Sequence, residues 1–206
     1  MKQQLIQARN YMERFHQNDT TGHDIAHVRR VVAMANLIAV DYPEANTFII
    51  EMAALLHDTI DDKLTDASSR TELLAFLNAI HVSSNDQQHI LYIIDCMSFR
   101  KAKTLPTIEG QIVQDADRLD ALGAIGIART FQFAGHFNEP MWTGEVSSTD
   151  LIKINVDELS PSAIKHFYEK LLKLKDLMNT PKAKAIAHER HAFLKYFLNQ
   201  FFNEWV

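Results

Sequence analysis

The chain predicts an all-α fold, and three observations carry that prediction. Glycine and proline are scarce, six and five among 206 residues. Almost every long segment repeats its apolar residues at spacings of three and four rather than two. Two late segments open on a hydroxyl residue followed by proline, a helix start signal. The hydrophobic fraction of 47% and the charged fraction of 23% are those of a globular protein. The length fits one domain over 1–206, a single helical bundle around one core.

The first helix is expected from about Lys2 to Gln17, with Leu5, Ala8, Tyr11, Met12 and Phe15 on its apolar face. Asn18, Asp19, Thr20, Thr21 and Gly22 then break it. A second helix opens near His23, places Ile25, Val28, Val32, Ala35 and Ile38 on one stripe, and stops before Pro43. The third, about Glu44 to Thr59, holds Phe48, Met52, Leu55 and Leu56 and carries His57 and Asp58 in its last turn. Helices follow at about Ser69 to Ile80 and Asp86 to Met97, and a long one at about Ile108 to Phe133. The aperiodic stretch at about 135–160 is expected to be a mobile loop and a possible lid. Ser160-Pro161 and Thr180-Pro181 are read as the starts of two last helices. Their core stripes are Ile164, Phe167, Leu171, Leu174 and Met178, then Ile186, Phe193, Tyr196, Phe197 and Phe201.

The net charge is −5, with a pI near 6.0. A protein that grips a phosphate backbone usually shows a basic face, so a nucleic-acid polymer is not the expected partner. Cys96 is the single cysteine and lies in an apolar run, which excludes an internal disulfide or a cysteine-based zinc site. The first residues lack the apolar core of a signal peptide, and no apolar run reaches the ~20 residues of a membrane span, so a cytoplasmic protein with no membrane partner is expected. Oligomeric state is not legible.

Three segments carry candidate chemistry. His23, His27 and Arg30 are spaced by four and three, so a helix puts them on one face. Imidazole ligates metals and guanidinium grips phosphate; a solvated helix start explains the same residues. His57 follows Ile50, Ala53 and Ala54 at helical spacing and emerges from a buried face, beside Asp58. An acid there needs a partner, and a cation is one solution. On an α-helix the two side chains leave about 100° apart, which lets both reach one ion; a hydrogen-bonded core histidine is the plainer alternative. Asp117 sits in the apolar pattern of Val113, Ala116, Ala121 and Ala124, and Asp120 stands near enough to share its site. Asp115 and Arg118 are read as pointing elsewhere, each a candidate for an exposed pair, and Asp115 is taken as structural.

The ordered set His27, His57-Asp58, Asp117 resembles the H…HD…D signature of the HD-superfamily metal-dependent phosphohydrolases, an all-helical group. The flanking segments Gly22 to Val31, Ala53 to Lys63 and Val113 to Gly126 are similar to its bacterial YpgQ/YedJ-like branch, as is His166 to Leu172. The resemblance implies an HD-type bundle with His27, His57, Asp58 and Asp117 as metal ligands. It implies one divalent ion, Mn²⁺ foremost, with Mg²⁺, Fe²⁺, Co²⁺, Ni²⁺ or Zn²⁺ as alternatives; mixed nitrogen and oxygen donors suit such ions better than Ca²⁺. The implied activity is hydrolysis of nucleoside triphosphates, deoxy forms included, to monophosphate and pyrophosphate through a metal-activated water. A phosphomonoesterase or phosphodiesterase, or a non-catalytic metal or nucleotide sensor, are the rival readings. Asp61 takes the general-base role by resemblance, with Asp62 as competitor and Asp58 as its catalytic neighbour. Arg30, Lys63 and Arg118 are candidates to hold the triphosphate, with Lys101 and Arg100 further ones. His23 and Asp24 are expected to orient His27 or to meet a phosphate.

Overall fold

The computed structural model describes residues 1–60, 69–97, 105–146, 151, 153 and 155–205, and among these it contains helices and turns but no strand. The all-α expectation is met. The chain divides into two compact units, one of Met1–Asp19 with His23–Asp117, the other of Thr20–Gly22 with Arg118–Val206.

In the first unit, α1 (Lys2–His16), α2 (Ile25–Ala39) and α5 (Ser84–Cys96) pack on α3 (Thr47–Leu56), with α4 (Ser69–Ala79) against the turn that follows it. α3 is apolar nearly all round, and Phe48, Ile49, Ile50 and every residue from Met52 to Leu56 are buried. Such a helix is stable only at the centre of a core. Asn46 rather than the region of Glu44 starts it, its side chain accepting from the backbone N–H of Phe48 and Ile49 at 3.1 and 3.3 Å. α2 supplies Val28, Val32, Ala35 and Ile38 to this core as expected, with Val31 added. α1 differs from expectation. Ala8 and Met12 are buried, but Phe15 is 38% exposed and the next buried residue is His16.

The expected long helix at 108–133 is two helices, α6 (Ile108–Asp120) and α7 (Gly123–His136). The break has a local cause: Gly123 has φ +72°, a left-handed conformation outside any α-helix, and Leu122 before it is extended. Within the second unit α7 packs on α10 (Pro181–Glu204) and on α8 (Ala163–His166). A π turn (Phe167–Leu171), α9 (Leu172–Leu174) and a 3₁₀ turn (Lys175–Leu177) join α8 to α10. The stripe Ile164, Phe167, Leu171, Leu174 and Met178 is buried as expected. Thr180 caps α10 with Pro181 at its first turn, also as expected. α8, however, is capped by Ser162, whose hydroxyl accepts from the Lys165 N–H at 3.1 Å. Ser160 instead donates its hydroxyl to Glu145 at 2.5 Å. On α10 the buried stripe is Ala183, Ala187, Leu194 and Leu198, whereas Phe193 and Tyr196 are 47% and 68% exposed. Phe197 and Phe201 lie in an aromatic cluster with Phe131 and Phe167. Within 135–160, Trp142, Leu151 and Leu159 are buried and Val156–Glu158 forms a 3₁₀ turn.

Candidate metal centre

The last turn of α3 builds the first half of the site. Past Leu56 the chain tightens from α to 3₁₀ over His57–Ile60, so the side chains of His57 and Asp58 diverge by about 120° rather than the α-helical angle. Two side chains satisfy carbonyls that the end of α3 would leave unpaired. Thr59, fully buried, donates its hydroxyl to Leu56 O at 2.7 Å. His57 Nδ1 donates to Ala54 O at 2.8 Å. Because a carbonyl only accepts, that bond fixes the proton on Nδ1 and leaves the Nε2 lone pair facing inward.

α2 supplies the second imidazole. Asp24 caps the helix, its carboxylate accepting from the His27 backbone N–H at 2.7 Å. His27 is fully buried. Its Nε2 lies 3.2 Å from His57 Nε2, 3.3 Å from Asp58 Oδ2 and 3.6 Å from Asp117 Oδ1. His57 Nε2 in turn is 3.4 Å from Asp58 Oδ2 and 3.7 Å from Asp117 Oδ1. The potential ligand atoms of His27, His57 and Asp117 all lie within 4.8 Å of one another. Side-chain exposure rises from 1% at His27 and 3% at His57 through 10% at Asp58 to 35% at Asp117, which puts Asp117 at the wet edge.

These distances pass a simple test of fit. Donors ~2.1 Å from a common ion are separated by about 3.0 Å at octahedral angles and about 3.4 Å at tetrahedral ones. The buried Asp58 Oδ2 has no hydrogen-bond partner among the described protein atoms, and a cation answers that deficit. Burial alone would raise the Asp58 carboxyl, but the imidazoles of His57, His27 and His23 outweigh it and hold the group well below the usual carboxylate range.

The other candidates divide. His23 is half-buried, its ring edge-on to His27 at 5.8 Å, with its backbone N–H on Asp19 at 3.0 Å. Arg30 lies on α2, partly exposed. Asp120 is buried and accepts from Arg129 at 3.0 Å. Asp115 is fully buried rather than exposed, and Arg118 is buried too, its guanidinium donating to the Leu177 carbonyl. Asp61, Asp62, Lys63, Arg100 and Lys101 lie outside the described residues. Sequence reasoning passed over Thr59 and His16. The signal for His16 was its place four residues after Met12, on the stripe that runs through Ala8.

A model of the HD domain family matches residues 24–122, the span that holds all four candidate ligands. The uncharacterized protein YpgQ of Bacillus subtilis is 40% identical over 203 residues, covering 96% of this chain and 91% of its own. The chain belongs to the HD superfamily. Among solved structures, a Lactobacillus plantarum protein matches with a TM-score of 0.87 at 39% identity, over 100% of this chain and 98% of its own. An HD-superfamily hydrolase of Bacillus thuringiensis matches with a TM-score of 0.75 at 40% identity, over 99% and 97%. YpgQ in complex with ADP matches with a TM-score of 0.76 at 37% identity, over 96% and 95%. As an HD-superfamily hydrolase the chain is a metal-dependent phosphohydrolase. Among its described helices none is long and apolar enough to cross a membrane.

Proposed function

We propose that this HD protein is a nucleotide pyrophosphohydrolase that cleaves nucleoside triphosphates, deoxy forms included, to monophosphate and pyrophosphate. The observation that carries the reading is the convergence of His27 Nε2, His57 Nε2, Asp58 Oδ2 and Asp117 Oδ1 at 3.2–3.7 Å. The ADP bound by the related YpgQ supports a nucleotide as ligand.

The four side chains would hold one divalent ion, Mn²⁺ by preference, with Mg²⁺, Fe²⁺, Co²⁺, Ni²⁺ or Zn²⁺ as substitutes. When bound, such an ion lowers the pKa of water and neutralises charge developing on phosphorus. The protein supplies the rest. The Nδ1–H bond to Ala54 aims the His57 lone pair, and Asp24, by capping α2, fixes where the helix that carries His27 begins. The depressed Asp58 carboxyl stays ionised throughout the neutral range. Asp117, at the exposed edge, stands where solvent and a phosphate approach. Asp61 serves as general base, and Arg30, Lys63 and Lys101 with His23 are the candidates for phosphate contact.

The test is turnover of a nucleotide panel with added Mn²⁺, with pyrophosphate and orthophosphate read separately and Asp58→Ala run alongside. Pyrophosphate release that disappears in the variant is expected. Orthophosphate alone would make the protein a phosphomonoesterase, and tight nucleotide binding without turnover would make it a sensor.

A further inference from the structure

We propose that Arg129 is a positioning residue of this centre, a strut that ties the Gly22 carbonyl to the Asp120 carboxylate and so fixes the two chain segments that carry His27 and Asp117. The inference rests on the reading of His27 and Asp117 as metal holders.

Arg129 lies midway along α7, its side chain 17% exposed. Its Nε donates to Gly22 O at 2.8 Å, and its Nη1 donates to Asp120 Oδ2 at 3.0 Å. Each acceptor stands beside a ligand along the chain. α6 runs unbroken through Asp117 and Asp120, which are one turn apart, so holding the Asp120 side chain holds the turn from which Asp117 springs. Gly22 precedes His23 and Asp24, the residue whose carboxylate takes the backbone N–H of His27. With φ +94°, Gly22 has a conformation that favours glycine. Two more residues of α7, one and two turns further along the same face, grip the same segment. Gln132 Nε2 donates to Thr20 O at 3.2 Å, and His136 Nδ1 lies 2.9 Å from Thr20 Oγ1.

Stability is a weak reason for the pair at the heart of this arrangement. A buried ion pair recovers little beyond its desolvation cost, and apolar residues of similar volume often serve as well. Direction is what it supplies. A guanidinium is planar with its donors at fixed angles, so bonds from Nε and Nη1 to two acceptors set how those acceptors stand to each other. A lysine keeps the charge but offers one point donor, and loses that relation.

Partners that orient ligating side chains typically change metal affinity by about 10–100-fold when removed. The experiment is calorimetric titration of Mn²⁺ into the full chain as wild type, Arg129→Lys, Asp120→Ala, Asp120→Asn, Ser162→Ala and His57→Ala, with thermal unfolding of each in chelator. The amide oxygen of Asn still accepts from Nη1 but carries no charge, so it separates the bond from the field of the carboxylate. Ser162→Ala loses a helix cap and leaves the strut intact. The expected result is Kd weakened about tenfold or more in Arg129→Lys and Asp120→Ala, and within about threefold of wild type in Asp120→Asn and Ser162→Ala. Wild-type affinity in Arg129→Lys or Asp120→Ala, equal weakening by Asn and Ala at 120, or a tenfold loss in Ser162→Ala would overturn the inference. If Asp120→Ala fails to fold, Arg129→Lys and Asp120→Asn decide. Failure of wild type to bind Mn²⁺, or undiminished binding by His57→Ala, would instead remove the metal reading beneath it.

Discussion

Two glycines of α7 should respond to alanine in opposite directions. A methyl group at Gly126 would lie 2.2 Å from the Ala121 carbonyl oxygen and 2.4 Å from its carbon, about 0.8 Å inside the 3.0 Å that Cβ atoms keep. Those atoms are backbone, in the turn between α6 and α7, and cannot rotate aside. Overpacking costs about 1–3 kcal/mol, with a clash against backbone at the upper end. The intrinsic preference of a helix for alanine returns about 1 kcal/mol. Gly126→Ala should therefore lose about 2 kcal/mol, or roughly 4–8 °C in Tm for a chain of this length. A methyl group at Gly135 would meet nothing within 4 Å, so Gly135→Ala should gain up to about 1 kcal/mol and roughly 1–4 °C. Differential scanning calorimetry in chelator reads both. Shifts of the same sign would refute the packing argument.

Further outcomes follow from the same geometry. Asp120→Ala deprives the largely buried Arg129 of its carboxylate and should cost about 3 kcal/mol in denaturant titration; a loss under about 0.5 kcal/mol would contradict the pair's structural role. Ser162→Ala should cost about 1 kcal/mol as a lost cap, whereas Ser160→Ala should stay within about 0.5 kcal/mol; the reverse order would restore Ser160 as the cap. His16 has a folded pKa below its unfolded value of about 6.5. Its stabilising share is complete above that pH and is lost as pH falls towards the folded value. Metal-free wild type should therefore lose more stability than His16→Gln between about pH 7 and pH 5, and parallel curves would contradict this.

Most of the helices and the cluster of His27, His57, Asp58 and Asp117 were legible because each leaves a local mark. α3 shows eight buried apolar residues among ten, and His57, Asp58 and Asp117 are polar residues in apolar periods. What escaped depends on contacts or backbone angles that a period does not encode. The apolar pattern runs through Ala121 and Leu122 without a stop, so only the positive φ of Gly123 reveals the break between α6 and α7. Ser160-Pro161 and Thr180-Pro181 look alike, yet Glu145 takes Ser160 and leaves the cap to Ser162. On α10, large aromatic residues drew the expected core face away from Ala183 and Ala187, which are buried. His16 carries no motif, and its burial shows only in the folded chain.

The most direct test of the central claim is an anomalous-scattering map of crystals grown with Mn²⁺. The account predicts one strong peak about 2.0–2.3 Å from His27 Nε2, His57 Nε2 and carboxylate oxygens of Asp58 and Asp117. A peak held by other residues, or none at this cluster in Mn²⁺-saturated crystals, would contradict it.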